Sequence, residues 1–298
     1  MRIENLVFEG GGVKGIAYAG ALDVLERRGL MAAVRGVAGT SAGAYTAMLV
    51  AIGCPAAQIR ALATATDYPG LEDRLDPLRL ATQYGLYAGH ALLAWIQQGV
   101  SARGLPVDVT FRALAAAGGR DLRVFATDLT SRDVREFSLR ATPDVAVACA
   151  VRASMSIPLM FAAWRFPDGA PDDHVYIDGG VVMNYPIAAF DDDAAPAATL
   201  GFRLRPPADR PVRALSGYDH PVGYAEALYG CIIDAQAIDV LHSPSDRARS
   251  VLIDDCGYSA VDFHLAAKDY DRLVACGRAA TEAFLDASTA RTATGVSA

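Results

Sequence analysis

The chain has 298 residues, and its 27 lysines and arginines against 34 aspartates and glutamates give a formal net charge of −7 at pH 7. This charge would repel a phosphate backbone, so the composition argues against nucleic acid as a partner. Apolar residues form 52% of the sequence, which excludes a mainly disordered chain and predicts a large buried sheet covered by helices.

The beginning of the chain alternates strand and helix patterns. We predict strands at residues 6–8 and 36–38, and helices at residues 14–28 and 43–52. This order is typical of a parallel sheet with right-handed crossover connections. The sequence therefore predicts the α/β class, as a three-layer α/β/α fold with a mainly parallel central sheet.

The remaining pattern predicts further strands at residues 122–127, 174–177, 198–204 and 250–253, and helices at residues 223–241 and 268–287. Residues 67–117 are punctuated by glycine and do not fit the strand rhythm, so we interpret them as a helical cap region. No repeat or low-complexity linker divides the chain. We predict one domain over residues 1–288 and a flexible tail over residues 289–298.

Three successive glycines, Gly10 to Gly12, follow the first predicted strand, and Lys14 and Gly15 come next. Such a bend could hold a nucleotide phosphate, stabilise an oxygen that becomes negative during a reaction, or form a tight turn alone. A dinucleotide site would need an acidic residue about 20 positions further on, and the second strand does not end in one. The position of Lys14 also departs from the Walker pattern, so a nucleotide site is disfavoured.

The second predicted strand ends in the G-x-S-x-G pattern of a nucleophile elbow, with Ser41 between Gly39 and Gly43. A sharp turn from strand to helix forces the serine into strained backbone geometry, and glycine on both sides leaves its hydroxyl exposed. Ser41 is therefore the candidate nucleophile of an acyl-transfer reaction.

The glycine-rich loop can serve the same reaction, because loops that leave neighbouring parallel strands can face each other. Successive glycines allow backbone N–H groups to converge on one point, where they would stabilise an oxyanion. This interpretation gives the run from Gly10 to Gly12 a function beside Ser41.

A serine nucleophile needs a base. None of the histidines stands in a recognisable motif, and three stay open as formal alternatives: His220, His242 and His264. The better candidate is Asp178, which follows an apolar strand and precedes Gly179 and Gly180. For that dipeptide alone, a plain Asp-Gly turn would be the ordinary interpretation.

The five cysteines are widely spaced and match no metal-ligand pattern, so we predict neither a disulfide framework nor a metal site, and expect reduced, mostly buried thiols. The N-terminus lacks the apolar segment of a secretory signal. We therefore expect a cytoplasmic protein that contacts membranes at most peripherally, while export without an N-terminal signal stays open. The most apolar stretch, residues 42–57, contains polar and helix-breaking residues and is interpreted as a buried helix.

One proline-rich stretch gathers four arginines, which could contact a lipid headgroup or lie in a solvated loop: Arg203, Arg205, Arg210 and Arg213.

Taken together, the motifs resemble the patatin-like phospholipase family. They are GGGVKG at residues 10–15, GTSAG at residues 39–43 and DGG at residues 178–180, in that order. The RASMSIP segment at residues 152–158 and the cap region agree with the same family. This resemblance implies a patatin-like fold.

The resemblance also implies a Ser-Asp dyad without histidine, in which Ser41 is the nucleophile and Asp178 is the base. It implies that Lys14 shapes the glycine-rich loop and that the reaction needs no metal or other cofactor. The oxyanion donors that it implies are Gly10, Gly11 and Gly12. Glu9, directly before the glycines, is assigned no role.

The substrate class implied is a phospholipid or another acyl-ester lipid. A small-molecule carboxylesterase, a thioesterase and an acyltransferase on the same dyad stay open as alternatives. A silent lipid- or nucleotide-binding module and an enzyme that waits for an unknown activator are further hypotheses.

Overall fold

The computed structural model describes residues 2–167, 169, 171–206 and 221–294. Within these ranges the strands are β1 (Asn5–Phe8), β2 (Gly36–Thr40), β3 (Gly85–Tyr87), β4 (Asp121–Asp128), β5 (Asp133–Ser138), β6 (Leu159–Phe161), β7 (Tyr176–Ile177), β8 (Thr199–Arg205) and β9 (Ser250–Asp254). The helices of the same residues are α1 (Ala17–Arg27), α2 (Ala42–Ala51), α3 (Ala56–Thr64), α4 (Pro77–Gln83), α5 (His90–Ser101), α6 (Phe111–Ala116), α7 (Val147–Ser154), α8 (Pro221–His242), α9 (Pro244–Ala248) and α10 (Ala267–Thr294).

The central sheet has the strand order β5-β4-β2-β1-β8-β9, with β7 also paired to β4. Neighbours from β4 to β9 are parallel, whereas β5 and β7 run antiparallel to β4. This arrangement confirms the predicted α/β class with a mainly parallel sheet. Phe8 of β1 pairs with Gly39 of β2, so the loops after these strands leave the same edge of the sheet as neighbours.

Both faces of β1 are buried, because side chains alternate between the two sides of a strand. Leu6 and Phe8 point into the large apolar core that contains residues of α1, α2 and α10. Val7 belongs instead to a smaller cluster, together with Tyr185 and Phe190 from the segment that follows β7. The centre of the sheet is therefore shielded from water on each side.

Helix α2 is apolar on every side, and all ten of its residues are buried. It packs against β2, β4 and α7, and this confirms the predicted buried helix for residues 42–51, whereas the end of the apolar stretch forms a turn and the start of α3. Among the described residues, no helix combines the length and the apolar character needed to cross a membrane.

The structure also contains elements that the sequence pattern does not predict. Three of the six residues of strand β5 are charged, helix α7 has no polar capping side chain, and β3 and β6 are three residues each, so their local signals are weak. The cap region contains α4, α5 and α6, and the parallel pairing of β3 with β6 attaches it to the body. Helix α10 continues to Thr294, whereas the flexible tail was predicted to begin at residue 289.

The expectation of mostly buried thiols is wrong. Of the five cysteines, all in the described part of the chain, Cys54 is buried, Cys231 is exposed, and the other three are partly exposed. Cys256 and Cys276 lie with their Sγ atoms 3.2 Å apart.

Helices α1 and α10 approach each other so closely that their backbones touch at two glycines. A Cβ atom at Gly20 would lie 1.9 Å from the carbonyl oxygen of Val274, and one at Gly277 would lie 1.9 Å from that of Ala17. These glycines therefore set the distance between the two helices.

We predict that Gly20→Ala lowers the free energy of unfolding by about 1–3 kcal/mol, because the methyl group must push α10 away. The measurement is the urea midpoint of unfolding. Gly230→Ala in α8 is the matched control, since its Cβ would meet no atom within 4 Å, and it should leave the midpoint unchanged or raise it. Equal midpoints for wild type and Gly20→Ala would contradict this account of the helix contact.

Candidate active site

Ser41 lies at the tip of the turn from β2 to α2, with φ 53° and ψ −125°. Positive φ is unusual for a residue with a side chain and carries a strain of about 1–3 kcal/mol, which the surroundings must offset. One contact that stabilises this conformation is the hydrogen bond of 2.8 Å from the N–H of Ser41 to Oγ of Ser154 in α7. The hydroxyl of Ser154 in turn donates to the carbonyl oxygen of Phe125.

The two glycines of the elbow are required by close backbone approaches. A Cβ atom at Gly39 would lie 2.3 Å from the carbonyl oxygen of Gly43, and one at Gly43 would lie 2.3 Å from that of Phe8. Gly43 therefore lets the first turn of α2 rest against the end of β1. This contact keeps Ser41 next to the glycine-rich loop.

Asp178 and Ser41, which are 137 residues apart in the chain, meet directly. The hydroxyl of Ser41 donates a hydrogen bond of 2.7 Å to Oδ2 of Asp178. The other carboxylate oxygen, Oδ1, accepts from the N–H of Gly180 at 2.8 Å and from the hydroxyl of Tyr229 at 2.9 Å. Tyr229 lies in α8 and was not singled out by the sequence, since no motif surrounds it.

Burial dominates the acid–base properties of this carboxyl group. Asp178 has no exposed surface, and removal from water raises its pKa from the ordinary value of 3.8 to about 6, while the hydrogen bonds from Ser41, Gly180 and Tyr229 act to lower the pKa. The group is thus ionised at neutral pH, yet more basic than a carboxylate in water.

The glycine-rich loop faces Ser41, but one of its predicted oxyanion donors is engaged elsewhere. The N–H of Gly10 donates to the carbonyl oxygen of Asn184 at 3.0 Å, so Gly10 cannot offer it to a substrate oxygen. Within the described residues, the N–H groups of Gly11 and Gly12 make no hydrogen bond, and both residues line a cavity that reaches Ser41. Gly15 packs against the start of α2.

A salt bridge holds the far side of this loop. Nζ of Lys14 lies 2.8 Å from Oδ2 of Asp255, which follows β9. Five residues further on, the carbonyl oxygen of Ala260 accepts a hydrogen bond of 2.9 Å from the N–H of Val13. At Gly12, where φ is +55°, a Cβ atom would lie 1.8 Å from that same carbonyl oxygen.

Glu9 and Arg203 form a buried ion pair beneath the loop, with 3.2 Å between Nε and Oε1. The carboxylate also accepts a hydrogen bond of 2.7 Å from the N–H of Leu204. Burial raises the pKa of Glu9 to about 7, against the opposing effect of Arg203.

The solvated-loop interpretation is wrong for Arg203, which lies in β8 and is 4% exposed. Arg205 is exposed at the end of β8. Arg210 and Arg213 lie outside the described residues.

The Asp178-Gly179-Gly180 turn is also fitted closely to its neighbours. A Cβ atom at Gly179 would lie 2.3 Å from the carbonyl oxygen of Phe125. At Gly180 it would lie 2.7 Å from the hydroxyl of Tyr229. The second glycine therefore makes room for α8.

Two cavities meet at Ser41 and Gly12. The larger, of about 360 Å³, has a mostly apolar surface but also contains polar and charged side chains, among them Lys14, Asn184, Arg203 and Asp255. The smaller, of about 60 Å³, is lined almost entirely by apolar side chains from α2, α3, α5 and the cap region. Its wall includes the stacked rings of Tyr45 and Trp95, whose centroids lie 3.8 Å apart.

The histidine alternatives gain no support from the described residues. No described histidine side chain hydrogen-bonds to Ser41, and His264 is exposed. His220 and the side chain of His242 lie outside the described part of the chain. Among the described residues, no three His, Cys, Asp or Glu side chains gather as metal ligands.

The sequence and the fold of this chain are similar to those of known proteins. A family model described as patatin-like phospholipase matches residues 6–191. The uncharacterized protein YqhO of Bacillus subtilis is 33% identical, over 94% of this chain and 97% of that protein. A probable lipid hydrolase, 463L of Invertebrate iridescent virus 6, is 24% identical over 62% of each chain. The crystal structure of VipD from Legionella pneumophila shares the fold, with a TM-score of 0.61 at 16% identity over 96% of this chain and 67% of that one.

We predict that Asp178→Asn raises the free energy of unfolding above pH 6, by up to about 3 kcal/mol. Because the folded protein has the higher pKa, wild-type stability falls as pH rises from 3.8 towards about 6, and an amide does not ionise. The amide can keep Oδ1 towards Gly180 and Tyr229 and direct its N–H towards Ser41. The measurement is the thermal unfolding temperature of both proteins between pH 4 and pH 8.

Asp173→Asn is the matched control, because Asp173 is an exposed carboxylate five positions earlier in the chain. It should show no gain that grows with pH. A stability difference between wild type and Asp178→Asn that stays constant across this pH range would contradict the raised pKa.

Proposed function

Since this chain belongs to the patatin-like phospholipase family, as its motifs suggested, we propose that it is a serine acyl hydrolase that cleaves fatty acyl esters of lipids. One observation carries the proposal: the hydroxyl of Ser41 donates to a fully buried Asp178 carboxylate at 2.7 Å. A hydroxyl becomes a nucleophile when a base accepts its proton, and a carboxylate of raised pKa is suited to that task.

In the acylation step, Oγ of Ser41 attacks the ester carbonyl carbon while Oδ2 of Asp178 takes the hydroxyl proton. The carbonyl oxygen becomes negative and is stabilised by the N–H groups of Gly11 and Gly12, with the N-terminus of α2 nearby. Loss of one such donor typically costs about 2.7–4 kcal/mol of transition-state stabilisation. When the C–O bond breaks, Asp178 returns the proton to the departing alkoxide.

Deacylation repeats the same sequence with water. Asp178 accepts a proton from the water, whose oxygen attacks the acyl-enzyme, and the carboxyl group then protonates Oγ of Ser41. The products are a free fatty acid and an alcohol. No other titratable group is needed to balance these steps.

The two cavities at Ser41 support a division of the substrate. The smaller cavity suits the acyl chain, and the larger one, which carries the polar and charged side chains, suits the alcohol portion that leaves. Asn184 lines the polar side, and its Oδ1 has no hydrogen-bond partner among the described residues, so it offers an acceptor to a substrate hydroxyl. The charged side chains of the larger cavity are the ion pairs Lys14–Asp255 and Glu9–Arg203, together with Arg205.

The size of the apolar cavity favours one alternative, a small-molecule carboxylesterase, thioesterase or acyltransferase on the same dyad. About 60 Å³ is far below the roughly 300–1,000 Å³ usual for small-molecule sites, so a long acyl chain must displace part of the wall. Activity confined to soluble short-chain esters and absent on phospholipid vesicles would favour this alternative.

We predict that Ser41→Ala abolishes acyl hydrolysis and that Asp178→Asn reduces it at least about a thousandfold, because each removes one partner of the proton transfer. The measurement is the release of fatty acids from mixed phospholipid vesicles, with labelling of Ser41 by a fluorophosphonate. Ser101→Ala and Asp173→Asn, at exposed positions, should keep full activity. Substantial turnover by a folded Asp178→Asn protein would point to another base, such as a histidine.

We predict that Trp95→Ala raises the ratio of long-chain to short-chain activity about tenfold or more, because loss of the indole deepens the apolar cavity beside Tyr45. The measurement is kcat/KM on a series of esters with increasing acyl length. Phe166→Ala, an aromatic truncation outside this cavity, should change all lengths by the same factor. An unchanged ratio in Trp95→Ala would mean that the acyl chain does not occupy this cavity.

A further inference from the structure

We propose that Tyr229 is a positioning residue, which holds the Asp178 carboxylate in the orientation that accepts the Ser41 proton. The inference rests on the proposed function and extends it to α8, beyond the residues 6–191 that the family model matches. Tyr229 lies 38 positions after the end of that match, and no sequence motif marks it.

The hydrogen bonds around Asp178 are divided unequally between its two oxygens. Oδ1 accepts from both Tyr229 and Gly180, whereas Oδ2 accepts from Ser41. Two donors on one oxygen fix the plane of the carboxylate and leave the other oxygen for the nucleophile. Without the tyrosine hydroxyl, the Gly180 N–H alone would hold Oδ1.

A second side chain on the face of α8 that carries Tyr229 also hydrogen-bonds to the site. Gln236 lies seven residues after Tyr229, two helical turns along, and its Nε2 donates to the carbonyl oxygen of Gly180 at 2.6 Å. Its Oε1 accepts from the N–H of Asn184 at 2.8 Å. Tyr229 and Gln236 of α8 therefore both bind the turn that carries Asp178.

The same attachment reaches the glycine-rich loop. Asn184 accepts from the N–H of Gly10 through its carbonyl oxygen at 3.0 Å, and its Nδ2 donates to the carbonyl oxygen of Gly10 at 3.2 Å. These two hydrogen bonds join Asn184 to the glycine-rich loop. Helix α8 therefore supports the base directly and the oxyanion donors through Asn184.

Among the titratable side chains of the described residues, Tyr229 is the one that donates a hydrogen bond to Asp178. The other groups that face the carboxylate are the Ser41 hydroxyl from the elbow and the Gly180 N–H, and no lysine, arginine or histidine pairs with it. Burial and the adjacent Asp178 raise the pKa of Tyr229 well above 10, so its hydroxyl stays a donor at every working pH. Loss of this donor removes a contact that favours the ionised carboxylate.

The test is Tyr229→Phe, which keeps the ring and removes the hydroxyl. Tyr185→Phe is the matched control, because both tyrosines are 8% exposed, and the Tyr185 hydroxyl bonds Ser250 instead of the dyad. We measure the pH dependence of kcat/KM on a soluble short-chain ester and of the rate at which a fluorophosphonate labels Ser41.

We expect the acidic limb of both profiles to move up by about one pH unit in Tyr229→Phe, which lowers the rate about tenfold at pH 5 and less at pH 8. Tyr185→Phe should keep the wild-type profile. An active Tyr229→Phe protein with the wild-type acidic limb overturns the inference. A loss that is equal at every pH also overturns it, because that is the mark of a merely structural role.

A second readout does not depend on turnover and so separates this inference from the proposed function. The stability difference between each protein and its Asp178→Asn partner should stop growing near pH 6 in wild type and at a higher pH in Tyr229→Phe. A wild type that neither hydrolyses esters nor labels would refute the proposed function, while a displaced plateau would still support the contact. An identical plateau in both proteins would refute the role of Tyr229 whatever the activity.

Discussion

A fully buried carboxylate that accepts three hydrogen bonds is the constraint on which the rest of this site depends. Asp178 is completely buried, and three hydrogen bonds replace the water that its charge has lost. Those three donors come from the β2–α2 turn, from the glycine turn after Asp178, and from α8. Elements as far apart in the chain as residues 41 and 229 are thus joined through one side chain.

Glycine makes this convergence possible because it lets backbone segments approach each other directly. Gly43 brings α2 against β1, Gly179 brings the aspartate turn against β4, and Gly12 brings the loop against Ala260. Each contact is too close for a Cβ atom. The strained conformation of Ser41 is stabilised by the hydrogen bond of its N–H to Ser154 and by the burial of the residues that begin α2.

Much of the fold and part of the site could be predicted from the sequence, because the signals were local. The elbow around Ser41 and the Asp-Gly-Gly turn are each contained within a few residues, and each element of the βαβα order has its own local pattern. Tyr229 and Asn184 escaped prediction because they act through single side chains, whose partners are set by tertiary packing. Composition was also misleading for Arg203, since a cluster of arginines does not indicate which member is buried against a carboxylate.

The glycine-rich loop near the N-terminus is completed by strands and turns near the other end of the chain. Its supports include Arg203 and Leu204 in β8, and Asp255 and Ala260 after β9. During synthesis on the ribosome, Ser41 and its turn emerge long before these partners. A nascent chain can therefore complete the contacts that hold the glycine-rich loop only after residue 260 has been translated.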